Sequence, residues 1–79
     1  MDRAELQQLE EERAREVVGI VDSAILRIMN KRMTRDEALE LVAEVRRRVT
    51  EIFPGSEGTF DLIYLGRFQR TIAEYVGEE

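Results

Sequence analysis

The sequence predicts an all-α fold, an antiparallel three-helix bundle with a long first helix. Apolar residues recur at steps of three and four in three stretches, as a buried helix face requires, and nowhere alternate as in a half-buried strand. Two strong breaks, Asn30–Thr34 and Pro54–Gly58, divide the stretches. Elsewhere interruptions are few, with one Pro and five Gly in 79 residues.

The first helix is expected over about residues 2–31. Its second half carries a broad apolar face of Val17, Val18, Val21, Ala24, Ile25, Ile28 and Met29. In the first half Leu6 and Leu9 are apolar, but Glu10 and Arg13 occupy the side that continues toward Val17 and Val21, which keeps this part out of a core. Glu11–Arg15, Glu10–Arg13 and Glu12–Arg15 stand at the spacings of stabilising helix pairs. Acidic residues crowd the first half and Arg27, Lys31 and Arg32 close the second, the order the helix dipole favours.

Thr34-Arg35-Asp36-Glu37 reads as a capping box, in which the Thr34 hydroxyl accepts from the Glu37 amide and the Glu37 carboxylate reaches back. The second helix follows over about 35–53, with Ala38, Leu39, Val42, Val45, Val49, Ile52 and Phe53 inward and Leu41 at the margin. Pro54 disfavours helical backbone at Phe53, and Gly55 and Gly58 permit a reversal. The third helix is expected over about 60–76, capped by Thr59 and ended by Gly77. Phe60, Tyr64, Phe68, Ile72, Tyr75 and Val76 form its face, broadened by Leu62, Ile63 and Leu65. Four of the five aromatic residues lie here, so this helix is expected to supply the bulk of the core.

Short connections make successive helices antiparallel neighbours. Their lengths do not match: at ~1.5 Å per residue the first helix is ~45 Å long and the second ~28 Å. About a dozen residues, 1–12, therefore overhang the single domain, and either fray or pack on another chain.

A chain this short is near the limit of what one core stabilises. With no Cys and no His, disulfides and the usual zinc and haem ligand sets are excluded, which leaves good helices and oligomerisation as aids. The net charge of −5 and the absence of a basic block argue against general nucleic-acid binding. No apolar run reaches the ~20 residues a membrane span needs, and no basic-then-apolar signal region is evident, so a cytoplasmic location is expected.

Chemistry has little to work with. A general base would have to be a carboxylate, Lys31 or a Tyr, and Ser23 and Ser56 have no evident base. No enzyme activity, cofactor, metal or small-molecule substrate is expected. Arg46-Arg47-Arg48 is the most basic spot, but helix geometry splits it, with Glu44 and Glu51 in reach of Arg48 and Arg47; it reads as a solvated face. Gly55-Ser56-Glu57-Gly58-Thr59 lacks the Gly-Lys-Ser/Thr ending of a phosphate loop and reads as a turn. Glu10, Glu11, Glu12 and Glu16 point in different directions and do not form a cation site.

The expected function is a non-enzymatic protein-interaction or oligomerisation module that binds a protein partner or a second copy through the first helix. Leu6, Leu9 and Arg13 on the overhang are the candidate contacts, with Tyr64, Arg67 and Phe68 on the third helix as an aromatic–Arg patch. A core stripe with Arg67 paired to a carboxylate is the plainer reading of that second group. The alternative is a small helix-turn-helix-like nucleic-acid-binding regulator using Arg67, Gln69 and Arg70; acidic Glu57 and Asp61 at the start of the third helix weigh against it. An accessory subunit of an enzyme is more remote.

Overall fold

The computed structural model describes residues 2–76, and over them the chain is an antiparallel three-helix bundle. Helix α1 spans Arg3–Asn30 and α2 spans Arg35–Ile52. Helix α3 runs without a break in direction through an α-helical turn Glu57–Phe60, a π-helical stretch Asp61–Leu65 and an α-helical body Gly66–Tyr75. Helices α1 and α3 run the same way and α2 runs back between them.

The helix ends follow local chemistry. Asp2 caps α1 by accepting from the Glu5 amide at 2.9 Å. The spacing of Asp2 and Glu5 carries this signal, which sequence reading passed over. The box at Thr34 is formed in both directions: the Glu37 amide donates to Thr34 Oγ1 at 3.1 Å, and the Thr34 amide to Glu37 Oε1 at 3.0 Å. Helix α2 stops at Ile52, before the residue that precedes Pro54.

The third helix begins earlier than expected. The Phe60 amide donates to the Ser56 carbonyl at 2.8 Å, so the first turn closes on Ser56 and Thr59 lies inside the helix instead of capping it. Gly55, at φ 84°, makes the reversal alone, while Gly58 is helical. Gly77, expected as the C-terminal cap, lies outside the described residues.

All three helices share the core. Val17, Val21, Ala24, Ile25 and Ile28 come from α1, Ala38, Val42, Val45 and Val49 from α2, and Phe60, Phe68 and Ile72 from α3. The third helix thus does not dominate by number, although Phe60 and Phe68 are the bulkiest of its fully buried side chains. Thr71, also buried, returns its hydroxyl to the Arg67 carbonyl at 2.9 Å.

Six apolar residues expected inward are instead exposed: Val18, Met29, Leu39, Leu62, Ile63 and, at the last residue of the third helix, Tyr75. One residue is ~100° of rotation on an α-helix. Val18 and Leu39 each follow a core residue, Val17 and Ala38, by that single step, and Met29 likewise follows Ile28. Leu41, expected at the margin, packs against the core on the α1 side.

The π stretch explains Leu62 and Ile63. Eight α-helical residues from Phe60 to Phe68 would rotate ~800°, leaving the rings ~80° out of line. A wider turn of about 4.4 residues over five of them restores the alignment. Phe60 then stacks on Phe68 with centroids 6.2 Å apart and meets Tyr64 at 5.7 Å. The same widening turns Leu62 and Ile63 outward, at 86% and 57% exposure, and brings Leu65 against the core. Phe68, expected as a possible partner contact, is fully buried and belongs to this stack.

Candidate protein-interaction surface

The N-terminal part of helix α1 carries no core residue. No residue from Arg3 to Glu16 is buried, and Ala14 is the first to line a groove against α2 and α3. The segment remains helical throughout, and the molecule measures 52 × 22 × 16 Å. Leu6 is 48% exposed, Leu9 is half-buried and Arg13 is exposed. Asp2, Leu6, Leu9 and Arg13 recur at steps of four, three and four and line one stripe of the overhang.

None of the ion pairs expected within the overhang is closed. Among the described residues the salt bridges are Arg46–Asp61, Arg47–Glu44, Arg47–Glu51 and Arg67–Asp22. The triplet Arg46–Arg48 is split as its helical spacing requires. Arg47 is held by Glu44 and Glu51 on its own helix, and Arg46 crosses to α3. The Arg47–Glu44 hydrogen bond lowers the Glu44 pKa and raises that of Arg47.

At the base of the overhang, α1, α3 and the α2–α3 turn enclose an open groove of about 350 Å³. Val18, Phe53, Phe60, Ile63 and Tyr64 make its walls mainly apolar. The Ser56 hydroxyl lies in it, buried and without a hydrogen-bond partner among the described residues. Sequence reading missed this groove because Val18 and Ile63 lie far apart in the chain and were assigned to the core.

The second candidate group is divided by the fold. Phe68 is core, Tyr64 is half-buried on the groove wall, and Arg67 pairs with Asp22 of α1 at 3.3 Å. These residues do not form an open aromatic–Arg patch; Arg67 instead fastens α3 to α1.

Among the described residues no three His, Cys, Asp or Glu side chains gather as a cation site, and no helix is long and apolar enough to cross a membrane. The chain matches no family model, no curated protein and no solved structure.

Proposed function

We propose that this chain is a protein-interaction module of the cytoplasm, acting without catalysis, whose contact surface is the α1 overhang and the apolar groove at its base. The observation that carries this reading is the overhang: helix from Arg3 to Glu16 with no residue buried. A helix of that length is marginal in water on propensity alone, and tertiary packing of one face is what normally stabilises it. A partner laid along Leu6 and Leu9 supplies that packing. The groove adds apolar area beside it.

The test is site-specific photocrosslinking in the native cells, with a photoreactive amino acid at Leu6 in one variant and at Ile63 in another. The expected result is a discrete protein adduct from each position, whether a second copy or a different protein, and none from a control position at exposed Glu40. Recovery of uncrosslinked chain alone from both positions would overturn the reading.

A further inference from the structure

We infer that the occupant of the overhang is a second copy of this chain, paired antiparallel about a two-fold axis between Leu6 and Leu9. This rests on the interaction-module reading and adds the partner, the direction and the register. The stripe Asp2, Leu6, Leu9, Arg13 has coiled-coil spacing, with acid at one end, base at the other and two leucines between. It complements itself only when reversed. Leu6 then meets Leu9 of the partner subunit, and Asp2 meets Arg13 of the partner subunit, each contact occurring twice, as an isologous interface requires.

Charge decides direction. In the antiparallel pair Arg3 stands beside Glu10 of the partner subunit and Glu5 beside Glu12 of the partner subunit, each twice, so the flanks balance and the two Asp2–Arg13 contacts remain as net attraction. A parallel pair would set Asp2 on Asp2, Arg13 on Arg13 and Glu5 beside Glu10, all repulsive. Arg3, Glu10 and Arg13 are exposed and make none of the ion pairs formed among the described residues. Asp2 caps α1 through Oδ1 alone, which leaves Oδ2 for Arg13 of the partner subunit.

Length agrees with this register. The paired segment runs from Asp2 to Arg13, about 18 Å, and ends just before Ala14, the first residue of α1 to line a groove against α2 and α3. Two leucines per chain make a small interface, so the association is weak and concentration-dependent.

The test is sedimentation equilibrium of the full purified chain at low salt, from micromolar to millimolar concentration. A monomer–dimer equilibrium is expected. Arg3→Glu and Glu10→Arg should each raise Kd roughly threefold or more, and the double swap should restore it. Leu6→Ala with Leu9→Ala, a change that keeps helix propensity, should abolish the dimer while circular dichroism shows the overhang still helical. A monomer at every concentration overturns the inference. So does tighter association from Glu10→Arg alone, the mark of a parallel pair, or a dimer indifferent to the swaps. Each of these leaves the interaction-module reading standing on its own crosslinking result, because a different protein captured at Leu6 satisfies that reading and not this one.

Discussion

The Arg46 guanidinium holds the Asp61 carboxylate by two parallel hydrogen bonds, Nε to Oδ1 at 2.9 Å and Nη2 to Oδ2 at 3.0 Å. This fork ties the middle of α2 to the residue at which α3 widens into its π stretch.

The pair predicts a pH signature. The hydrogen bonds from Arg46 hold the Asp61 pKa below its ordinary value, and those from Thr34 and Arg47 do the same for Glu37 and Glu44. A carboxyl whose folded pKa is depressed adds stability above its unfolded pKa, and that stability is lost as pH falls through the folded value. The melting temperature should therefore decline below about pH 4. Asp61→Asn should lower it by a few degrees at neutral pH, with the gap to the native chain closing in strong acid. A gap independent of pH, measured by thermal circular dichroism, would assign the loss to packing instead.

The capping box at Thr34 gives a second expectation. Thr34→Ala leaves the Glu37 amide without its acceptor and should cost about 1 kcal/mol, while Thr34→Ser retains the hydroxyl and most of the stability. Urea titration should show the midpoint moving with unchanged slope.

The aromatic stack gives a third. Phe68 is fully buried against Phe60, so Phe68→Ala should cost about 3–5 kcal/mol. That is much of what a core this small supplies, and cooperative unfolding near physiological temperature should be lost. Leu62→Ala, at the most exposed apolar position, should change stability by less than about 0.5 kcal/mol.

The π stretch allows a sharper comparison. A π turn accommodates one residue more than an α turn. Deleting Leu62 removes no buried side chain and should convert the widened turn to α-helix, in which the seven remaining steps from Phe60 to Phe68 rotate ~700° and leave the rings within ~20° of alignment. The deletion should therefore keep the ring stack and destabilise far less than Phe68→Ala. A loss on the scale of Phe68→Ala in denaturant titration would show that the stack needs the widened turn itself and not only the alignment it gives.

Much of the architecture was legible in the chain because helix boundaries are local events. The Thr34 box involves residues three apart, Pro54 acts on its immediate predecessor, and the spacing of Val17, Val21, Ala24 and Ile28 selects one helix face. The groove was not legible. Its walls come from Val18, Phe53 and Ile63, and nothing local to any of them reports the others. Arg67 belongs to the same class: its position on the aromatic side of α3 was readable, but its partner Asp22, on α1, was not.

The sequence by itself determined three helices, their breaks, their antiparallel order and an overhanging first helix, since periodicity, caps and length are properties of neighbouring residues. Only the tertiary structure decided which marginal apolar residues are covered. Leu41 went in while Leu39, Val18 and Ile63 stayed out, because burial depends on which flank of a helix its neighbours press upon. The tertiary structure also decided the π turn. Its wider hydrogen bonding is offset by the alignment of Phe60 with Phe68, a contact that exists only once α3 is packed on the other two helices.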